Sequence, residues 1–420
     1  MGAYRQFPLA FFGLLLIAVA APLASILVLP AMGALPLVGA VVCLAGSLWA
    51  TRRPPPVDRT LAAGLAVLLA WAATSALWAA DPGFAAGRVL RLAYLTAGGL
   101  VLLAAAQTLE AGHKRLLLAV FVAAVAVGIA LLLEELLLNY PLYRAVRGIP
   151  SRPRVLPSVL NRGAMVLAVL VWPAMLAARR FVPAWVAALL PVTLFGVLLG
   201  TQSQSAALGM ATAGGVYLLA ARAPAVARRG LTAVLVVGVL AAPWLALGLH
   251  DAQPSFLTDW RTASAGARME IWDASARMAL EKPLFGWGME AIRSTPDLFQ
   301  EPVVFMRNRD TTMHPHNGPL QVWVDLGLVG VVLTLGILVQ IVRRIGRLSG
   351  PAHATALALL AIVCTVSTVS HGLWQSWWIG LISTAAAFLA MAADDPARRR
   401  QAEGEGALKT EMHGPWPASW

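Results

Sequence analysis

The chain has 420 residues, of which 59% are hydrophobic and only 12% are charged, and its mean hydropathy is +0.73. Soluble globular proteins carry about 25% charged residues, so this composition excludes a soluble cytosolic enzyme and a disordered chain. The formal net charge is +12. In a chain this apolar the question is on which side of a membrane each cation lies, and nucleic acid is not an expected partner.

A helix needs roughly 20 apolar residues to cross a bilayer. Apolar runs closed by Pro, Gly or charge predict helices at 7–29, 31–50, 61–80, 88–107, 114–138, 158–178, 182–199, 203–221, 231–250, 317–342, 351–371 and 373–391. The expected fold is therefore an all-α polytopic membrane protein of about twelve transmembrane helices. Arg5 precedes the first run and no small-residue cleavage site follows it, so a retained helix is expected rather than a signal peptide. Cys43 and Cys364 both lie in apolar runs and read as buried small hydrophobes, not as a disulfide or a metal site.

Alternate loops are basic: "TRRPPPVDRT", "EAGHKR", "ARR", "ARAPAVARRG" and "RRIGRLSG", with "ARRR" in the tail. By the positive-inside rule these face the cytoplasm. The connections near 30, 200 and 372 carry no Lys or Arg and face the opposite side. The chain then divides into 1–250, nine spans with an exported loop at 139–157; 251–316, a large exported loop; 317–391, three spans; and 392–420, a polar cytoplasmic tail. Within the large loop, "ARMEIWDASARMALEKPLFGWG" alternates apolar and charged residues. It predicts an amphipathic helix on the membrane surface or across the bundle.

One exported stretch breaks the charge rule. Residues 139–162 hold Arg144, Arg147, Arg152, Arg154 and Arg162 without an Asp or Glu. Arg88 and Arg91 add two cations on one helix face at the exported end of the fourth span, and Arg268 lies in the large loop. Clustered arginines repel one another unless an anion is present, and guanidinium suits bidentate phosphate binding. Such a pocket at membrane level fits the diphosphate of a lipid-linked donor. Arg277, Lys282, Arg293, Arg307 and Arg309 have acidic neighbours and read as local salt bridges. His371 precedes Trp374, Trp377 and Trp378, which read as an interfacial aromatic belt.

His316 and Asn317 stand where the large loop enters a membrane helix. An imidazole there is mostly neutral at pH 7, and nearby arginines hold it so, which suits a general base. A helix-start polar cap is the structural alternative. His314 and His316 have no well-placed carboxylate for a third metal ligand, and the exported turns lack an Asp-x-Asp pair, so no metal or other cofactor is expected.

His316-Asn317, nine residues, then Gly327-Leu328-Val329-Gly330 resembles the motif of the O-antigen ligase and polymerase superfamily. Arg268-Met-Glu-Ile-Trp272 resembles the start of that family's large periplasmic loop, Lys282 to Gly288 ("KPLFGWG") its following turn, and "PSVLNRGAM" the start of a central span. In "GTQSQSAAL", Gln204 stands where family members often carry Arg. The resemblance implies a glycosyltransferase of the bacterial inner membrane, active at the periplasmic face in lipopolysaccharide biosynthesis. Its donor would be undecaprenyl-pyrophosphate-linked O-antigen and its acceptor the lipid A–core oligosaccharide. It implies His316 as base, Arg88, Arg91, Arg147, Arg152, Arg154 and Arg268 on the diphosphate, and Asn317, Gly327 and Gly330 as motif support, with metal-free inversion. An O-antigen polymerase or a protein O-oligosaccharyltransferase would share the donor chemistry. A lipid or sugar transporter is the alternative from another class.

Overall fold

A computed structural model describes residues 8–24, 31–150, 155, 157–252, 263–294 and 314–394. The expected tail, Arg152, Arg154, Arg307 and Arg309 lie outside these residues. The helices are α1 (Leu9–Ala24), α2 (Ala31–Thr51), α3 (Arg59–Ser75), α4 (Pro82–Thr108), α5 (Ala111–Leu137), α6 (Pro141–Arg147), α7 (Asn161–Ala178), α8 (Ala184–Leu199) and α9 (Gln204–Arg222). They continue with α10 (Pro224–Leu240), α11 (Ala242–Ala252), α12 (Ala263–Glu281), α13 (Ala291–Ser294), α14 (Gly318–Ile345), α15 (Gly350–Val369) and α16 (Ser376–Ala393). A 3-10 turn at Pro157–Leu160 leads into α7.

The protein is an all-α polytopic membrane protein. Each predicted apolar run coincides with a helix or a helix pair. Among the described residues seven helices are long and apolar enough to cross a membrane, or up to eight if one bent pair counts as a span. The run at 231–250 is that pair: α10 and α11 meet at 77°. Three other runs form shorter apolar helices, α1, α3 and α8.

The centre of the bundle is α7, whose residues from Gly163 to Ala178 are all buried, which explains its continuous apolar sequence without an amphipathic stripe. α5, α8, α15 and α16 pack around it. Close approach is sequence-encoded: a Cβ on Gly209 in α9 would lie 2.9 Å from Ile362 in α15.

α16 spans the bundle from end to end, about 27 Å at 1.5 Å per residue. Near its C-terminus, Asp394 pairs with Lys114 and Arg180 donates to the Ala392 carbonyl (2.9 Å). Near its N-terminus stand His371 and Gln375, with the loop that carries His314 and His316. The amphipathic helix α12 packs on α11 and α14, with Ile271, Ala276, Met278 and Ala279 buried. Its apolar face is thus covered by the bundle rather than left open.

α14 is not one regular helix. Gly327 breaks it at φ 61°, ψ −164°, a conformation open essentially to glycine alone. The turn 283–288 docks into the break. Trp287 and Gly288 donate their N–H groups to the Val324 and Asp325 carbonyls (2.7 and 3.0 Å). Leu328 and Val329 donate theirs to Pro283 and Leu284 (2.8 and 3.3 Å). Backbone groups freed by a broken membrane helix must find partners inside the protein, and here the turn supplies them.

Candidate active site

His316 has positive φ (54°), an uncommon conformation for a residue with a side chain. It is held from three directions. Asn317 is the N-cap of α14, accepting the Leu320 N–H (3.0 Å). The His316 N–H donates to His314 Nδ1 (3.2 Å). The ring Nδ1 lies 2.6 Å from the Ser370 carbonyl. A carbonyl only accepts, so Nδ1 carries the proton and Nε2 keeps its lone pair. The polar cap of α14 is thus Asn317, and among the described residues His316 Nε2 has no hydrogen-bond partner.

Burial lowers the His316 pKa, the Ser370 bond opposes this, and the Arg268 guanidinium lowers it further. His314 is pushed down to about 3 by burial, then by His316 and Arg293. His371 is likewise pushed down to about 3, by burial first and then by His316, His314, Arg162 and Arg268. The three imidazoles are neutral at pH 7. The His314 and His316 ring centroids are 4.2 Å apart. Among the described residues no group of three or more His, Cys, Asp or Glu could hold a metal ion.

Arg268, in α12, is half-buried. Burial holds its pKa below the ordinary arginine value, and among the described residues no carboxylate pairs with it. A desolvated cation without a counter-ion is costly, and an arriving anion would relieve it. Arg162, at the start of α7, is exposed and close enough to act on His371.

Among the described residues, Arg88 and Arg91 belong to a second group, around Glu290. Arg88 lies 4.0 Å from Glu290, and the Phe84 ring is 4.6 and 5.6 Å from the guanidinium carbons of Arg88 and Arg293. This second group contains an acid. Burial pushes the Glu290 carboxyl up, against the opposing pull of Arg88, Arg293 and Arg91. Arg293 links the groups, since it acts on both Glu290 and His314. Arg147 is exposed, 5.8 Å from the Tyr143 ring in its own helix. Arg144 braces the loop, donating to the Asn139 and Pro150 carbonyls (2.9 and 2.6 Å).

The motif glycines have steric reasons. A Cβ on Gly327 would sit 2.4 Å from the Leu284 carbonyl oxygen, and one on Gly330 would sit 2.2 Å from the Leu326 Cβ. The turn glycines Gly286 and Gly288 have φ of 70° and 98°, which explains the Gly-x-Gly pattern.

The three tryptophans after His371 are each hydrogen-bonded. The Trp374, Trp377 and Trp378 indoles donate to Asp325, Gln375 and Ser367 (2.7, 2.7 and 3.0 Å), and Trp378 is fully buried. Trp374 and Trp378 find their partners on other helices, whereas Trp377 bonds the N-cap residue of its own helix. The polar start of α9 also reaches the site: the Ser205 hydroxyl lies 3.1 Å from that of Ser370. Sequence reasoning missed Glu290, Asp325, Ser370 and the closeness of His371. One signal was available, the polar stripe Asn317, Gln321, Asp325 at four-residue spacing in an otherwise apolar helix.

Residues 189–335 match the family model described as O-antigen ligase. That segment runs from α8 to beyond the break in α14 and contains Arg268, His316, Asn317, Gly327 and Gly330. The chain is 26% identical over 230 residues to a protein named "Putative polysaccharide ligase" from Rickettsia bellii, covering 53% of this chain and 55% of that one. It is 24% identical over 227 residues to proteins of similar name from Rickettsia conorii and Rickettsia felis, with 53% of this chain and 54% and 55% of theirs covered. The chain spans about half the length of the curated relatives it matches. These findings support a member of the O-antigen ligase superfamily.

Proposed function

We propose that the protein is an O-antigen ligase of the bacterial inner membrane, working at the periplasmic face. It transfers O-antigen from undecaprenyl pyrophosphate to the lipid A–core oligosaccharide. The observation that carries this reading is the His316 ring, whose Nδ1 is held 2.6 Å from the Ser370 carbonyl so that Nε2 keeps its lone pair; the half-buried Arg268, without a carboxylate partner among the described residues, is the cation that lowers its pKa.

In the proposed reaction the acceptor hydroxyl oxygen attacks the anomeric carbon of the donor sugar. Its proton passes to His316 Nε2. The bond from that carbon to the diphosphate oxygen breaks on the opposite face, and the electron pair leaves with the lipid diphosphate. Configuration inverts, because there is one displacement and no enzyme nucleophile. Arg268 is a preorganised cation for the charge that grows on the leaving group. Ser370 holds the imidazole in the accepting tautomer, as an orienting group does for a general base. Arg88, Arg91 and Arg293 offer a second cationic surface for the donor, in which Glu290 is the resident counter-ion. Arg147, Arg152 and Arg154 belong to the loop assigned to donor recognition.

The test is transfer by purified protein in detergent, with lipid-linked polysaccharide and lipid A–core as the only substrates. Polysaccharide attached to lipid A–core is the expected product. A lengthened lipid-linked chain would identify a polymerase instead, and no new bond would refute the enzymatic reading.

A further inference from the structure

Asp325 lies nine residues after His316, directly before the break in α14, and its side chain is 1% exposed. One carboxylate oxygen accepts the Ala291 N–H (3.1 Å). The other accepts the Trp374 indole N–H (2.7 Å). These partners belong to different halves of the site. Ala291 opens α13, which carries Arg293 and follows Glu290. Trp374 lies in the 370–375 loop, which supplies the Ser370 carbonyl on His316 and Gln375, whose amide nitrogen is 2.8 Å from His314 Nε2.

One turn earlier on the same face, the Gln321 side-chain oxygen accepts the Leu373 N–H (2.7 Å), pinning the same loop. Among the described residues no cation pairs with Asp325, so its carboxyl group is a hydrogen-bonded bridge and not half of a salt bridge. Burying such a group favours stability less than a well-packed apolar side chain of similar size would. Its value lies in the geometry it imposes.

We propose that Asp325 is a positioning residue that fixes the arginine side of the site relative to His316 by bridging α13 and the 370–375 loop. This rests on the reading of His316 as the base. Asp325 touches no reacting atom; it acts through Trp374 and Ser370 on one arm and through Ala291 on the other.

The arms can be cut separately. Trp374→Phe keeps an aromatic ring but removes the donor to Asp325, so it releases the histidine arm alone. Steady-state transfer with lipid-linked polysaccharide and lipid A–core should show kcat reduced about 10- to 100-fold, the scale of a misplacement near 1 Å, with donor KM unchanged. The acid limb of the kcat profile should also move to lower pH, because a loosened Ser370 carbonyl no longer favours the protonated ring. Arg268, His314 and His371 face His316, with Arg162 and Arg293 beyond them, and they stay in place in this variant. Asp325→Asn keeps only one oxygen for two N–H donors, so it should lower kcat and raise donor KM together.

A purely structural role would instead lower the yield of folded protein, leaving kcat per folded molecule and the acid limb where they are in the wild type. That result in Trp374→Phe overturns the proposal. His316→Gln measured alongside separates the two claims. If it abolishes transfer while Trp374→Phe changes neither kcat nor the limb, positioning fails alone. If His316→Gln transfers at the full rate, the reading of the base fails and the positioning claim falls with it.

Discussion

Gly327→Ala should be among the most damaging single-methyl additions in this protein. The residue sits at φ 61°, ψ −164°, and holding a non-glycine residue there costs about 1–3 kcal/mol. The new Cβ would also stand 2.4 Å from the Leu284 oxygen, 2.5 Å from the Leu284 carbonyl carbon and 2.6 Å from the Gly286 nitrogen. All three are backbone atoms, so no side chain can turn away. The 283–288 turn must lift off the break, and the Leu328-to-Pro283 and Val329-to-Leu284 hydrogen bonds are the first lost, at about 0.5–1.5 kcal/mol each. The expected destabilisation is roughly 2–6 kcal/mol. The assay is thermal or denaturant unfolding of purified protein in detergent. Gly87→Ala serves as the control, since nothing lies within 4 Å of its Cβ position in α4; it should be neutral or stabilise by up to about 1 kcal/mol. A Gly327→Ala change below about 1 kcal/mol would refute the reasoning that the turn and the broken helix are locked together at this glycine.

Three further expectations concern chemistry and pH. The His316 pKa lies below the ordinary value of 6.5, so the base stays free as pH falls, and the acid limb of kcat/KM should have its midpoint below 6.5; a midpoint at or above that value would contradict the buried neutral imidazole. The same groups bear on stability: His314 and His371 have folded values of about 3 against 6.5 when exposed, so their contribution is complete above pH 6.5 and declines as pH falls from there toward 3. The unfolding temperature should therefore drop between pH 7.5 and 4.5, and a flat profile would count against the cluster. Arg268→Ala should lower kcat/KM by about 100- to 1000-fold, with Arg268→Lys only partly restoring it because a compact ammonium lacks the planar fork; unchanged donor use would remove Arg268 from the site. Chelator should leave transfer intact, whereas loss in EDTA reversed by magnesium or manganese would refute the metal-free mechanism.

The helices were legible because burial in lipid needs long apolar runs, and each run found a helix. What run length did not reveal is the 77° bend that divides the run at 231–250 into α10 and α11. His316, Asn317 and the glycines were legible from spacing, and their reasons are local: a cap, a ring bond and two crowded Cβ positions. The hydrogen-bond partners of Trp374 and Trp378 were not legible, since they depend on how α14, α15 and α16 pack. The same holds for Glu290, which enters the arginine group through a contact about two hundred residues away along the chain. An acid-free arginine pocket was expected; Arg268 keeps that character among the described residues, and Arg88 does not.

The most direct test of the account is a single turnover by purified His316→Ala, preloaded with undecaprenyl-pyrophosphate-linked O-antigen and mixed with lipid A–core. The expected result is donor binding retained and transfer slowed by at least about 100-fold. Transfer at the wild-type rate would contradict the central claim that this imidazole takes the acceptor's proton.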